Sequence, residues 1–295
     1  MSVSRNTIAG CAYHDLRNKA KREKQFTLEY FTTYAIEGLL ERVITSTYAN
    51  SFVLKGGVLL AVFETRRLTR DIDLHAHDLP NKKNELVVII REISAIAIDD
   101  GLVFDQDSIR ATTIRDDTLY PGVRLRINCF LATAVIPLSV DINFGDPISP
   151  PPIEIELPRL LGGLIKMRGY PLEMMLAEKI VTALERGLAN TRWRDFGDVY
   201  LLIRRHRIDG QKLRGSTSAV IEYRTATRAR LSAVLFGFPA MAQTSWAIWC
   251  RRVGLATVLP QDFSLVLSAI IEFADPILLK IVDDKTWDPL SQQWI

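Results

Sequence analysis

The sequence has little that would cross-link, anchor or export it. Only three cysteines, Cys11, Cys129 and Cys250, occur in 295 residues, far apart and without metal-ligand spacing. That excludes a disulfide framework and suits a reducing compartment. The longest apolar stretches, such as 264–271 (SLVLSAII), fall short of the roughly 18 residues a membrane span needs. The N-terminal run MSVSRNTIAGCAYHDLRNKAKREK has no apolar core of the signal-peptide kind, so a cytoplasmic protein without membrane contact is expected. A dominant charge is missing as well: 37 Lys and Arg against 34 Asp and Glu leave a net charge of +3. Any nucleic-acid surface must therefore be local. Walker A, H-E-x-x-H, G-x-S-x-G and dinucleotide fingerprints are absent, which leaves most competing enzyme classes unsupported.

What is present is an ordinary globular composition, 48% hydrophobic and 24% charged, in a chain long enough for one large domain or two lobes. The basic run 13–24 leads into Leu28, Phe31, Tyr34, Ala35, Leu39 and Val43 near period 3.6, so the chain should begin with two helices. Residues 52–63 (FVLKGGVLLAVF) read as a strand broken by Gly56-Gly57 into a short helix, and 68–75 (LTRDIDLH) as a second strand. A helix is predicted over 84–98. Segments 123–131 and 135–144 should form an antiparallel pair, with Leu138, Val140, Ile142 and Phe144 on one face and Ser139, Asp141 and Asn143 on the other. SPPP at 149–152 is the strongest break, and from 171 the pattern is mostly helical. The expected division is a lobe at 1–165 and a helical lobe at 166–295.

Several carboxylates stand where chemistry could use them. Asp71 and Asp73 leave the same face of a strand while Ile72 goes to the core. Two adjacent carboxylates repel, and a divalent cation relieves that repulsion; Mg²⁺ in phosphoryl transfer is held by one or two carboxylates plus substrate phosphates. Asp141 could complete such a cluster. The plainer alternative is a solvated strand end. Gly56-Gly57 would let backbone N–H groups approach a phosphate, or would simply make a tight turn. Lys179, in the middle of the helical segment 172–188, is either a solvated lysine or a point charge for a triphosphate. Asp195 and Asp198 in RWRDFGDVYLL could orient basic groups, help activate a hydroxyl, or pair with Arg192 and Arg194. His75 and His77 continue the parity of the two aspartates, but a strand rise of roughly 3.3 Å per residue carries them beyond one coordination sphere.

Together, FVLKGGVLLAVF…RLTRDIDLH, PLSVDINFGDP and RGYPLEMMLAEKIVTALERGLANTRWRDFGDVYLL resemble the AbiEii/AbiGii-type nucleotidyltransferase toxins, including the mycobacterial MenT-like group. The match covers most of the chain, and order and spacing both fit. The resemblance implies an α+β, bilobed fold: a polymerase-β-like nucleotidyltransferase lobe with a mixed sheet, then a mainly helical lobe, with the active site in the cleft between them. It implies that Asp71 and Asp73 bind Mg²⁺ and the nucleotide, that Asp141 is the third metal carboxylate, and that Lys179 holds the triphosphate. Gly56 and Gly57 contact the nucleotide, Asp195 is the last catalytic acid, and Asp198 is its neighbour. The family's motif is often Gly-Ser, so a hydroxyl is missing at Gly57.

The activity implied is transfer of a nucleoside monophosphate from an NTP to RNA, at the 3′ end of tRNA, by a monomeric toxin neutralised by a cognate antitoxin. Other acceptors, a small molecule or a protein, or a catalytically silent nucleotide or RNA binder, are the alternatives. Arg66, Arg67, Arg192, Arg194 and the 224–230 run (RTATRAR) are candidates for the RNA backbone. Replacing Asp71 or Lys179 by Ala is expected to abolish transfer without unfolding the chain.

Overall fold

Apolar periodicity and strand alternation produce the N-terminal elements largely where the sequence announces them. The computed structural model describes residues 3–67, 69–114 and 122–295. Helices α1 (Ile8–Arg22) and α2 (Thr27–Thr45) are followed by β1 (Phe52–Lys55), the one-turn helix α3 (Gly56–Leu59), β2 (Asp71–Ala76) and α4 (Lys83–Ser94). Strands β3 (Leu102–Ile114), β4 (Gly122–Leu131), β5 (Ala134–Phe144), β6 (Ile153–Pro158) and β7 (Leu164–Gly169) complete this part. Leu68, at the start of the predicted 68–75 strand, lies outside the described residues.

The seven strands form one mixed sheet in the order β3-β4-β5-β2-β1-β7-β6. β4 and β5 pair antiparallel as expected, while β2 joins β5 in parallel. That register sets Asp71 opposite Ser139 and Asp73 opposite Asp141. On the flanking strands Lys55 stands opposite Asp73, and Arg124 opposite Asp141.

Every residue of α2 from Tyr30 to Leu40 is buried, because the helix packs against α1, α4, β5 and β7. A helix enclosed on all sides must satisfy any charge it carries. Arg42 donates to both oxygens of Asp100, at 2.6 and 3.2 Å. Glu37 accepts from the Leu160 backbone N–H at 3.0 Å and from Arg66 Nη1 at 2.9 Å. Burial pushes the Glu37 carboxyl above its ordinary value, against the pull of the Leu160 N–H and Arg66.

β3 and the β6–β7 hairpin were not anticipated. β3 is an edge strand whose ladder is interrupted between Asp105 and Arg110, and its mixed polar composition hides the alternation. In the hairpin, Ile155, Leu157, Ile165 and Met167 are buried while Glu154, Glu156 and Lys166 are exposed. β7 pairs with β1, so it runs across the expected 165/166 junction and stays with the sheet. The chain accordingly packs as one unit of Met1–Gly145 with Ile153–Gly169, and a second of Asp146–Pro152 with Tyr170–Ile295.

The second unit holds α5 (Leu172–Arg186), α6 (Trp193–Ile203), α7 (Gly210–Tyr223), α8 (Leu231–Val234), α9 (Phe238–Arg252) and α10 (Phe263–Leu278). The short strands β8 (Ile208–Asp209), β9 (Thr286–Asp288) and β10 (Gln293–Trp294) form a small sheet. Phe263 centres its core, with ring centroids 5.4 Å from Phe196 and 5.0 Å from Trp246. Trp246, Trp249 and Trp287 are all buried, and Trp287 Nε1 donates to the Ile203 carbonyl at 2.7 Å. The architecture is thus α+β, a mixed sheet with helices followed by a mainly helical unit. Among the described residues no helix is long and apolar enough to cross a membrane.

Candidate active site

Alternation along β2 sends Ile72 and Leu74 into the core and leaves Asp71 and Asp73 half-buried on the opposite face. Gly56 makes this placement possible. It has φ +67°, and a Cβ there would lie 2.0 Å from Asp73 Oδ2, so only glycine fits. Gly57 does a different job. Its φ is ordinary, and an added Cβ would meet Thr69 Oγ1 at 3.1 Å and Arg67 Nη2 at 3.3 Å. Thr69 Oγ1 lies beside the place a side chain at 57 would take, and donates to the Asp71 carbonyl at 3.4 Å.

Two cations on this face escaped the sequence reading. Lys55, buried at the end of an otherwise apolar strand, is opposite Asp73. Arg124 grips Asp141 with both arms, Nε to Oδ1 at 2.7 Å and Nη2 to Oδ2 at 2.6 Å. Hydrogen bonding to Asp141, against burial and with further attraction from Asp141, Asp71 and Asp73, raises the Arg124 guanidinium above its ordinary value. The available signal was a basic residue closing or punctuating a strand, at 55 and in RLRIN.

The expected metal set, Asp71, Asp73 and Asp141, is brought onto one face but not into a finished cage. Among the described residues no three His, Cys, Asp or Glu side chains are grouped so that they could hold an ion. Asp141 has turned both oxygens to Arg124, which offsets the repulsion of neighbouring carboxylates. The donor set, oxygen only, suits a hard cation such as Mg²⁺, with substrate phosphates making up the remaining ligands. His75 is buried, and His77 lies past the strand end, 3.0 Å from Asp78 and 3.2 Å from Arg168. No Asp/Asp/His/His metal face is formed among these described side chains.

In the helical unit, Lys179 on α5 is neither solvated nor snorkelling. Its Nζ donates to Asp195 Oδ1 at 3.1 Å and Asp198 Oδ2 at 2.8 Å, both on α6, with the lysine side chain only 10% exposed. Arg192 Nε closes on the other Asp195 oxygen. Burial works to raise the Asp195 carboxyl, but Lys179 and Arg192 more than offset it and hold it far below the carboxylate range. Asp195 and Asp198 are thus anchors of Lys179.

Several basic residues considered for RNA have structural duties. Arg66 is engaged by Glu37 and the Pro158 carbonyl, Arg192 by Asp195, and Arg224 by Glu185 and Thr182 at 3.0 Å each. Arg194 and Arg230 are exposed.

Comparison with known proteins adds one family. The model of the AbiEii family, described as nucleotidyl transferase AbiEii toxin of type IV toxin–antitoxin systems, matches residues 38–289. No curated protein matches the chain. Among solved structures, JHP933 from Helicobacter pylori is 15% identical, covering 83% of this chain and 90% of its own, with a TM-score of 0.46. An antigenic nucleotidyltransferase-like protein from Paracoccidioides brasiliensis is 16% identical over 69% of this chain and 91% of its own, with a TM-score of 0.39. At these scores the likenesses carry no weight for the chemistry.

Gly56→Ala should destabilise the chain by about 2 kcal/mol or more, because it combines the left-handed strain with the clash on Asp73. Gly57→Ala, which meets only the ends of two side chains, should cost less than about 1 kcal/mol; urea denaturation compares the two. Lys179→Ala is no longer expected to be structurally neutral. It removes the cation shared by two buried carboxylates, and the same denaturation should show a loss of about 3 kcal/mol.

Proposed function

The chain belongs to the AbiEii nucleotidyl transferase toxin family of type IV toxin–antitoxin systems, and on that premise we propose that it moves a nucleoside monophosphate from an NTP onto RNA. As a member of that family it is a nucleotidyltransferase with a cognate antitoxin as partner. The proposed acceptor is the 3′ end of tRNA, and the consequence is blocked translation in the cytoplasm. One observation carries the reading: Asp71 and Asp73 on β2 share a face with Asp141 directly across the parallel ladder.

In the proposed reaction the RNA hydroxyl oxygen bonds to the α-phosphorus of the NTP, the bond from that phosphorus to the bridging oxygen breaks, and pyrophosphate leaves. Asp71 and Asp73 would hold Mg²⁺, which when bound neutralises phosphate charge and orients the leaving group. Gly56 keeps Asp73 in place and leaves no side chain of its own in the way. Lys179 is assigned the phosphate charge that builds up on leaving, with Asp195 and Asp198 fixing its ammonium. Both Asp195 oxygens are paired with cations, Lys179 and Arg192, so the hydroxyl proton goes elsewhere, to solvent or to a carboxylate of the sheet.

The test is incubation of the full chain with total tRNA, Mg²⁺ and each α-labelled NTP in turn, read on a denaturing gel. Label should enter tRNA from one NTP and fall on the order of 100-fold or more in Asp71→Ala. Label in protein or in a small molecule would replace RNA as acceptor, and undiminished label with Asp71→Ala would overturn the mechanism.

A further inference from the structure

We propose that Arg124 is a latch on the third carboxylate: it keeps Asp141 away from the metal until the phosphates of a nucleotide draw the guanidinium off, whereupon Asp141 joins Asp71 and Asp73. The inference rests on the nucleotidyltransferase reading and assigns a positioning role to a residue that the reading does not otherwise use.

Four observations carry it. Both oxygens of Asp141 accept from Arg124, at 2.7 and 2.6 Å, so a cation that binds there must compete with a guanidinium already seated on the carboxylate. The sheet register places Arg124, Asp141, Asp73 and Lys55 side by side on four successive strands, which makes Asp141 the hinge between a cation and the Asp71/Asp73 pair. The exposures are unequal: the Arg124 side chain is 35% exposed and that of Asp141 11%, so the guanidinium has room to leave and the carboxylate does not. Asp71 and Asp73 also attract Arg124, so the guanidinium lies within the field of the whole cluster.

The chemistry of exchange follows from the fork. A guanidinium binds phosphate with the same two-donor geometry as carboxylate, so moving from one to the other keeps its hydrogen bonds. Asp141 left alone would be a partly buried charge without a partner, which is unfavourable. Release of Arg124 therefore requires a replacement cation at Asp141 in the same event. Nucleotide and metal then bind as a coupled pair, each favouring the other by the same factor. A metal ion alone meets a carboxylate already paired with Arg124.

The experiment is a Mn²⁺ titration of the full chain, without nucleotide, followed by electron paramagnetic resonance of the free ion. Near-ultraviolet circular dichroism checks that each variant is folded. Arg124→Gln should bind Mn²⁺ on the order of tenfold more tightly than the unaltered protein, the worth of freeing a carboxylate from its charge-assisted bonds. Arg124→Lys keeps the charge but loses the fork, and should fall between the two. It separates a latch from a mere positive charge, and it carries the test alone if the glutamine variant does not fold. Asp71→Asn should remove the binding in every background. If both Arg124 variants bind as weakly as the parent while Asp71→Asn still abolishes binding, the latch is overturned and the metal reading stands. If Mn²⁺ binding ignores Asp71→Asn, the metal reading fails and the latch falls with it.

Discussion

Carboxylates set side by side on one face of a sheet repel each other, and the N-terminal unit is arranged around that repulsion. Asp71 and Asp73 are two residues apart on β2, and the parallel register brings Asp141 level with Asp73. Strand geometry fixes this placement, because alternation leaves no other face for them while Ile72, Val140 and Ile142 fill the core. The neighbouring strands supply the answer in the same row, Lys55 on one side and Arg124 on the other. Three carboxylates drawn onto one face make a setting in which a divalent ion offsets their repulsion. The helical unit solves its own problem in the opposite sense. Lys179 and Arg192 bridge to Asp195, and Lys179 also to Asp198, so the two carboxylates hold one ammonium in a fixed place.

The rest of the N-terminal unit keeps the row in register. β1 carries Lys55 into Gly56, where a left-handed φ and Asp73 in the space a side chain would need both call for glycine. β7 holds the far side of β1, and its hairpin is tied to the buried helix α2 through Glu37, which accepts from Leu160 and Arg66. A charge buried at 1% exposure in a helix core is unfavourable unless fully partnered, so Arg66 is drawn inward and away from any phosphate-binding duty. That is why a basic residue beside the glycine turn, attractive in one dimension, serves the fold instead.

Much of this was legible in the sequence wherever a residue's neighbours lie on its own strand or helix. Asp71 and Asp73 sharing a face, Asp141 on the polar side of β5, the break at Gly56-Gly57 and the two N-terminal helices all follow from periods of 2 and 3.6. What was hidden depends on which strands become neighbours. Arg124 faces Asp141 through the register of the expected β4–β5 pair, but nothing local says that β2 lies between β5 and β1, which sets Asp141 and Lys55 on either side of Asp73. The same holds for Lys179: its position in mid-helix suggests solvent, and only the packing of α5 on α6 turns it toward two carboxylates. β3 is hidden by its mixed polar composition at the sheet edge, and the β6–β7 hairpin by its position directly after the SPPP break, where it reads as a connection between lobes. The two glycines looked equivalent in sequence and differ entirely in φ and surroundings.

The most direct measurement is a crystal structure of the full chain with Mn²⁺ and a non-hydrolysable NTP analogue, with data collected at the manganese absorption edge. Anomalous density bridging Asp71 and Asp73, with the analogue's phosphates completing the ligands and Arg124 moved off Asp141, is the predicted result. Manganese bound away from these aspartates in the presence of ordered nucleotide would contradict it.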